Sequence, residues 1–358
     1  MPRRRRPSTS SPRQGAPLRA LTLLLLAAAS CLGRGLALGP AAAAAAPSAN
    51  PFLGATWYVD DHIAVAQAER AAQSSRQSQL AANLDVIART PQSMWFIAAD
   101  DPRSSSYVHG FFTRSAAAQP NGIIFITLHG LPQQVCAGDN APGSAGIAEY
   151  RSWIDGYAQL IGARRAVVFL EPDALAAARC LSAADQSARL RLMTYAARTL
   201  SVLPRTGVYE DAGAGDWRTV SDTVALLRAA GVRYARGFAL NATHYDWTAA
   251  EISYGLKVSR RLRGKHFVVN TAFNGRGPQI TGHGFHEWCN PSGRALGPLP
   301  TVNTPRRAVD ALFWIGNPGL SDGHCNGGPT VGELWPDWAA ALVGATAGAP
   351  DFPLLRRR

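Results

Sequence analysis

Short apolar runs alternate with longer amphipathic segments along most of this chain, and this alternation restricts its fold more than any other feature. Most of the runs are rich in β-branched or aromatic residues and are bounded by Gly, Pro or Asp, as is typical of strands. Continuous apolar runs suit strands that are buried on both faces of a parallel sheet. Seven runs are predicted to be strands: Met94–Ala98, Gly122–Leu128, Ala166–Leu170, Gly207–Tyr209, Tyr234–Leu240, His266–Asn270 and Ala311–Ile315.

The segments between most of these strands are rich in Ala, Leu and Arg and have the spacing of amphipathic helices. Repeated strand-then-helix order over this length predicts an α/β fold, a β/α barrel of about seven parallel strands. We expect a single domain over residues 50–350, and a monomer. Its Gly- and Pro-rich loop, residues 276–308, is of the kind that builds a binding site. Examples of the helical segments are Ala145–Leu160, Ala183–Leu203, Val220–Ala230 and Ala249–Leu262.

Residues 1–49 have the pattern of a secretory signal peptide. Six arginines and no acid occupy residues 1–19, an apolar run follows from Ala20 to Leu32, and small residues crowd 41–49. The apolar stretch is short for a bilayer span, so cleavage is favoured over anchoring. We therefore expect a secreted, extracellular protein without a transmembrane segment in the mature chain. Cys31 weakly resembles a lipidation site and the arginine run a twin-arginine signal, which leaves lipid-anchored or cell-wall locations as alternatives.

The positive charge of the chain is concentrated at its ends. Removing the seven arginines of residues 1–49 lowers the formal net charge from +12 to +5. Three of the remaining charges come from Arg356, Arg357 and Arg358 in a basic tail, residues 351–358. The predicted domain is thus close to neutral, and it has no basic stripe that would indicate a nucleic-acid partner.

Four of the five cysteines follow the predicted signal peptide. An even number in an exported chain predicts two disulfides, and three pairings are open. No Cys-x-x-Cys pair occurs, so a zinc site is not favoured and we expect no metal. His283 and His286 on one loop, with His324 elsewhere, leave a metal site as a lesser alternative. The four cysteines are Cys136, Cys180, Cys289 and Cys325.

Carboxylates follow three of the predicted strands, at the barrel end where functional groups are usually found. Glu171 and Asp173 follow the third strand, Asp211 follows the fourth, and Asp322 follows the seventh. Strand alternation would put Glu171 and Asp173 on one side if the extended geometry continues through Pro172. Any one of these acids alone is better explained as a helix cap or turn residue, but their convergence at strand ends favours a catalytic site.

Glycoside hydrolysis requires this kind of carboxyl set. One carboxylic acid protonates the departing oxygen, and a carboxylate activates water or attacks the sugar. A neighbouring anion, Asp211 or Glu171, would raise the pKa of Asp173 and keep its proton available near neutral pH. Sugar sites also need flat apolar surfaces, and five of the nine tryptophans lie at or near strand ends or loops, with filling of the barrel core as an equal alternative for each. These are Trp95, Trp217, Trp247, Trp288 and Trp314.

Several motifs resemble glycoside hydrolase family 6. The most specific is Trp-Cys-x-Pro-Ser-Gly-Arg, within the run from Glu287 to Gly297, and the similarity is collinear from about Asn50 to about Asp337. The resemblance implies a distorted (β/α) barrel that hydrolyses β-1,4-glucan with inversion and uses no metal or organic cofactor. The other matching segments are Tyr150–Asp155, Phe169–Asp173, Asp211–Gly213 and Asn274–Pro278.

The resemblance also assigns roles to individual residues. It implies that Asp173 is the general acid, that Asp211 is the acidic neighbour that tunes it, and that Asp322 is a candidate base. For the cysteines it implies the pairs Cys136–Cys180 and Cys289–Cys325. Substrate-binding residues are predicted at Trp95, Asn241 and Trp288 from the resemblance, at Trp217 as a platform, and at His129, which either contacts a sugar hydroxyl, acts as a base or is a buried structural histidine.

The chain departs from the family pattern around the predicted sugar site. An aspartate expected before the first cysteine is Val135, so Asp322 is the remaining candidate to activate water, through a second water. These changes spare the buried frame, so either the substrate differs from cellulose or catalysis is weakened. We therefore predict a glycosidase that acts on a polysaccharide or oligosaccharide, with a degenerate glycan-binding protein as the alternative. At the other departures the chain has Gln134 where the family has an arginine, His129 where it has a tyrosine, Ala214 where it has a histidine, Asn270–Phe273 where it has an Asp-Thr-Ser-Arg run, Gly316 where it has a lysine and Leu320 where it has a glutamate.

Overall fold

The computed structural model describes residues 50–132, 143–282 and 286–350. Seven parallel strands form one sheet in the order β1–β2–β3–β4–β5–β6–β9, and a short antiparallel pair, β7 and β8, lies outside it. The predicted distorted barrel of seven parallel strands is confirmed. The strands are β1 Met94–Ile97, β2 Ile124–His129, β3 Ala166–Leu170, β4 Thr206–Asp211, β5 Gly237–Leu240, β6 His266–Asn270, β7 Gln279–Ile280, β8 His286–Glu287 and β9 Val309–Phe313.

Helices follow most strands, and the four segments predicted as helices are all helical. Ser105, Ser182 and Thr219 cap the starts of three helices by accepting a hydrogen bond from a first-turn N–H, which satisfies a group that the helix leaves unpaired. No helix within the described ranges is both long and apolar enough to cross a bilayer. The helices are α1 Ala64–Ser74, α2 Ser78–Ala88, α3 Ser106–Ala118, α4 Ile147–Ile161, α5 Ala183–Ser201, α6 Val220–Ala230, α7 Thr248–Arg261 and α8 Pro336–Gly344, with 3-10 turns at Ala176–Cys180 and Cys325–Gly327.

The bounds of β1, β2, β4, β5 and β9 differ from the prediction by one to three residues, and two of these differences have an identifiable reason. β5 begins at Gly237 rather than Tyr234, because the Tyr234 N–H donates to the Gly231 carbonyl at 2.9 Å in the turn after α6. β4 continues beyond Tyr209, because Glu210 and Asp211 still pair with residues of β5. The second difference matters for function, because it makes Asp211 the last residue of β4, at an end of the strand that is fully buried.

Alternate residues of the strands face two different cores, as the period of two requires. The inner core contains Phe125, Phe169 and Phe313, whose rings pack with centroids 4.7 and 5.6 Å apart around Phe313. The outer core joins the other strand face to helices α3 to α7. Ser93, just before β1, donates its N–H to the Trp314 carbonyl, just after β9, at 2.9 Å, so the two edges of the curled sheet meet.

The segment before α1 covers the barrel at the amino ends of its strands. Trp57 pairs with Ile123, which immediately precedes β2, and its ring lies 5.4 Å from that of Phe125. Phe52 lies next to Gly207, near the start of β4, where an added Cβ would be 3.2 Å from the Phe52 Cζ. The carboxyl ends of the strands therefore remain as the end of the barrel that is available for a site.

Candidate active site

Asp173 and Asp211 come together because β3 and β4 are neighbours in the sheet. Asp211 ends β4, and Asp173 lies in the turn that follows β3. The N–H groups of Asp173 and Gly213 both donate to Asp211 Oδ1, at 3.0 and 2.9 Å. Asp173 has a φ of +67°, an unfavourable conformation for a residue with a Cβ, which persists only when its surroundings hold it in place. Asp211 is therefore the anchor that positions the backbone of Asp173.

The Asp211 carboxyl is fully buried, and its second oxygen, Oδ2, has no hydrogen-bond partner among the described residues. Burial, and then the negative charge of Asp173, raise the pKa of Asp211 well above its ordinary value. Removing a carboxylate from water disfavours its charged form, and a like charge nearby has the same effect. The protonated form of Asp211 is consequently favoured relative to that of an exposed aspartate.

Thr243 holds the Asp173 carboxyl from the opposite side. This residue lies in the loop after β5, and its hydroxyl donates to Asp173 Oδ1 at 2.6 Å. The Asp173 side chain is only partly buried, so a substrate can reach it. Sequence reasoning does not identify Thr243 as a site residue. Its position just after a buried strand, beside the loops that carry the aspartates, is the signal that could have found it.

Asp322 reaches the same region from the loop after β9. Asn290 and Asp322 form a reciprocal pair: the Asn290 N–H donates to Asp322 Oδ2 at 3.0 Å, and the Asp322 N–H donates to Asn290 Oδ1 at 2.8 Å. The protein packed around its carboxyl, and secondarily the charge of Asp173, raise the pKa of Asp322 to about 6. Asp322 lies on the exposed side of the site and is ionised above that pH.

A disulfide fastens the loops that carry this pair. The predicted disulfide between Cys289 and Cys325 is confirmed, and their Cα atoms lie 6.1 Å apart. Cys180 is also disulfide-bonded. The predicted pairing of Cys180 with Cys136 falls partly outside the described residues and stays a prediction.

Glu171 does not share the side of Asp173, contrary to the alternation argument. The backbone leaves the extended region directly after β3, with φ of +53° at Glu171, so alternation ends there. The Glu171 carboxylate is fully buried and accepts bonds from the N–H groups of Gly130 and Leu131, at 3.1 and 3.2 Å, and from the Tyr150 hydroxyl at 2.9 Å. Its role is to fix the chain at the end of β2, so of the two predicted acidic neighbours of Asp173, Glu171 and Asp211, it is Asp211 that contacts it.

The tryptophans divide between the surface and the core. Trp288 is 45% exposed and Trp247 is 38% exposed, which suits a sugar platform. Trp95 and Trp217 are partly buried; Trp95 donates to the Ile315 carbonyl at 2.7 Å, and Trp217 stacks on His244. Trp314 belongs to the core, because it is fully buried and its indole N–H donates to the Pro298 carbonyl.

Asn241 and His129 have buried surroundings. The Asn241 amide donates to the carbonyls of Asp246 and Asn270, at 3.2 and 3.1 Å, and accepts from the Asp246 N–H at 3.0 Å. Its amide thus organises the loop after β5, and its predicted sugar contact stays a prediction. His129, at the end of β2, lies with its ring 5.9 Å from that of Trp95 and acts electrostatically on Glu171.

Gly316 and Phe273, two positions at which this chain departs from the family pattern, contact each other. A Cβ added to Gly316 would lie 2.4 Å from Phe273 Cε1 and 2.6 Å from its Cζ. The Phe273 ring, which stands where the family pattern has an arginine, occupies the space next to the position of the expected lysine. Val135 and Gln134 lie outside the described residues.

Comparisons with known proteins agree with this architecture. Residues 52–346 match the family described as Glycosyl hydrolases family 6. Endoglucanase A of Cellulomonas fimi is 38% identical over 261 residues, which are 73% of this chain but only 55% of that protein. Endoglucanase 1 of Streptomyces halstedii is 33% identical over 332 residues, 90% of this chain and 98% of that protein.

A solved structure shows the same similarity in three dimensions. The endoglucanase Cel6 of Mycobacterium tuberculosis, in complex with methyl-cellobiosyl-4-deoxy-4-thio-β-D-cellobioside, superposes with a TM-score of 0.76 at 38% identity. The match covers 84% of this chain and 100% of that one.

Proposed function

Since the chain belongs to glycoside hydrolase family 6, we propose that it is a secreted glycosidase that hydrolyses β-1,4-glucan or a related wall polysaccharide with inversion of configuration. The observation that carries the proposal is the contact between Asp173 and Asp211, in which the buried partner anchors the turn of the other and the charge of Asp173 disfavours ionisation of Asp211. Such pairs allow one carboxyl group to work as an acid at a pH where an isolated one is ionised.

In this mechanism Asp173 donates its proton to the glycosidic oxygen as the bond to the sugar breaks. The Thr243 hydroxyl fixes Oδ1 of Asp173, which orients the carboxyl group before the reaction. Each of these two carboxyl groups disfavours ionisation of the other, so the pair retains a proton more readily than an isolated aspartate does, and Asp173 can donate it.

Water attacks the opposite face of the sugar ring in an inverting reaction, and a carboxylate takes its proton. Asp322 is the proposed acceptor, acting through a second water. Its pKa of about 6 makes it an ionised, weakly basic group at neutral pH. The exposed indoles of Trp288 and Trp247 supply surfaces on which glucose rings stack.

The decisive experiment is the Asp173→Asn variant. We expect it to lose at least about 10²-fold of the rate of reducing-end release from soluble β-glucan, since a general acid typically contributes 10²–10⁴-fold. Asp61→Asn, an exposed aspartate in the segment before α1, is the control and should keep full activity. Circular dichroism checks that both variants are folded, and product release by Asp173→Asn at the normal rate would exclude Asp173 as the acid.

A glycan-binding protein without activity is the second candidate, and the contact between Phe273 and Gly316 favours it. An apolar ring there replaces two cationic side chains that the family pattern places at the sugar site. Binding of cello-oligosaccharides without new reducing ends would support this function.

If the protein is active, proton NMR of the first product should show the α-anomer, and an initial β-anomer would contradict inversion.

A further inference from the structure

Three loops at the carboxyl end of the barrel bring four metal-binding side chains together. Asp216 follows β4, His244 and Asp246 follow β5, and His286 is in β8. His244 Nδ1 lies 3.2 Å from Asp216 Oδ1, while His286 Nδ1 lies 2.7 Å from Asp216 Oδ2 and 3.1 Å from Asp246 Oδ1. We propose that these four residues bind a divalent transition-metal ion of the Zn²⁺ type.

The geometry is close to what such an ion requires. Ligand atoms of Asp216, His244 and Asp246 all lie within 4.8 Å of one another, and His286 joins this group through the contacts of its Nδ1 with both aspartates. Zinc bonds to nitrogen and oxygen of about 2.0–2.2 Å place tetrahedral ligand atoms about 3.3–3.5 Å apart. The three separations between imidazole nitrogen and carboxylate oxygen, 2.7, 3.1 and 3.2 Å, become suitable after outward shifts of a few tenths of an ångström. Two imidazoles and two carboxylates are a ligand set that suits zinc.

The side chains of the cluster contact one another directly. The carboxyl groups of Asp216 and Asp246 are hydrogen-bonded to each other, and the imidazoles of His244 and His286 are their other close partners. A bound metal ion would take the place of the protons in these contacts.

Residues around the cluster supply support of the kind that metal ligands usually have. The Trp217 ring stacks on His244 with centroids 5.1 Å apart, which fixes the plane of the imidazole. Glu251 is almost fully buried, interacts electrostatically with both aspartates, and has an Oε2 without a hydrogen-bond partner among the residues that the structure describes. A buried carboxyl oxygen without a partner therefore lies close to the cluster.

Another His/Asp group in the protein offers a useful contrast. Asp60, Asp61 and His62 are also close enough to share an ion, but Arg114 already neutralises Asp60 through bonds of 3.0 and 2.6 Å. Only one imidazole is present there, and it is exposed. We expect this group not to bind a metal ion specifically, so it serves as the internal control.

The test is calorimetric titration of the full chain, prepared without an affinity tag and stripped with EDTA, using Zn²⁺ alone. We expect one bound ion per chain and a higher Tm in its presence. The substitutions His244→Asn and His286→Asn should each weaken binding at least about 10-fold, in line with the loss of a metal ligand or its support. His62→Asn should bind as the unmodified protein does.

Each outcome of the titration either supports or overturns the proposed metal site. Absence of binding by the folded protein, or equal binding by His286→Asn, would overturn the proposal, as would an equal loss in His62→Asn, which indicates adventitious binding. If His244→Asn does not fold, His286→Asn decides the question, because His286 lies at the surface in β8. The readout does not depend on glycan hydrolysis, so failure here leaves the proposed activity intact.

Discussion

Asp173 and Asp211 have chemically identical side chains, but their surroundings differ in burial and hydrogen bonding, and this difference separates their roles. Asp211 is fully buried, its Oδ1 accepts hydrogen bonds from two backbone N–H groups, and burial raises its pKa well above the ordinary value. Asp173 is partly open and oriented by the Thr243 hydroxyl. Position at a strand end identifies both as candidates, but only burial and hydrogen bonding distinguish the anchor, Asp211, from the proposed acid, Asp173.

At the same scale, Gly316 and Phe273 form a matched pair whose coupling is measurable. Gly316→Ala places a methyl group within 2.4 Å of the Phe273 ring, and overpacking of this kind typically costs about 1–3 kcal/mol of unfolding free energy. In a Phe273→Leu background the same change should cost less, because the ring is gone. Urea unfolding of the two single variants and the double variant measures the coupling.

Gly146→Ala is the control for this cycle, since an added Cβ there meets no atom within 4 Å and its φ of −177° suits any residue. Equal costs of Gly316→Ala with and without Phe273 would show that the two positions are independent.

At the scale of elements, the site depends on loops rather than on strands. The strands provide a rigid frame, while the loops after β6 and β9 are joined by Cys289–Cys325 and by the reciprocal bonds between Asn290 and Asp322. The loops that follow β3, β5 and β9 at this end of the barrel each contribute a polar side chain to the site. The order of the strands in the sheet decides which of these loops are neighbours.

The disulfide should therefore stabilise both the fold and the position of Asp322. Replacing Cys289 and Cys325 with Ser removes a cross-link over 36 residues, for which chain entropy predicts a loss of about 4 kcal/mol. Denaturant unfolding and kcat on soluble β-glucan should both decrease. Ser292→Ala, an exposed change in the same loop, is the control, and an unchanged unfolding midpoint in the double variant would contradict the stabilising role.

At the scale of the whole molecule, buried carboxyl groups make stability depend on pH. Burial raises the pKa of Glu171, raises that of Glu251 to about 8, and raises those of Glu210 and Asp211 well above their ordinary values. Each such group binds a proton in the folded state at a pH where the unfolded chain has released it. Its contribution is fully present below the unfolded pKa and is lost as the pH rises through the folded pKa.

Glu210 isolates this effect, because it is fully buried and neither of its carboxyl oxygens has a hydrogen-bond partner among the described residues. We expect the free energy of unfolding to fall as the pH increases from 5 to 9, and Glu210→Gln, which cannot ionise, to reduce that fall by on the order of 1–3 kcal/mol. Glu333→Gln, at an exposed position, should leave the profile unchanged. Parallel profiles for the protein and Glu210→Gln would contradict an ionising Glu210.

Much of this fold follows from local sequence patterns. Strand periodicity, apolar composition and helix-capping residues depend on few neighbouring residues, which is why seven strands and helices such as Val220–Ala230 are predictable. The placement of Asp173 and Asp211 after neighbouring strands follows from the same order, because parallel strands end at one edge. The pairing of Cys289 with Cys325 came from the resemblance to a family, since cysteine spacing leaves three pairings open.

Only the tertiary structure decided how the loops combine. The positive φ after β3 turned Glu171 away from Asp173, the curl of the sheet brought Thr243 to Asp173 across 70 residues, and Phe273 met Gly316. The cluster of Asp216, His244, Asp246 and His286 likewise draws on three loops. These contacts depend on register, sheet curvature and loop conformation together, and no short stretch of sequence contains that information.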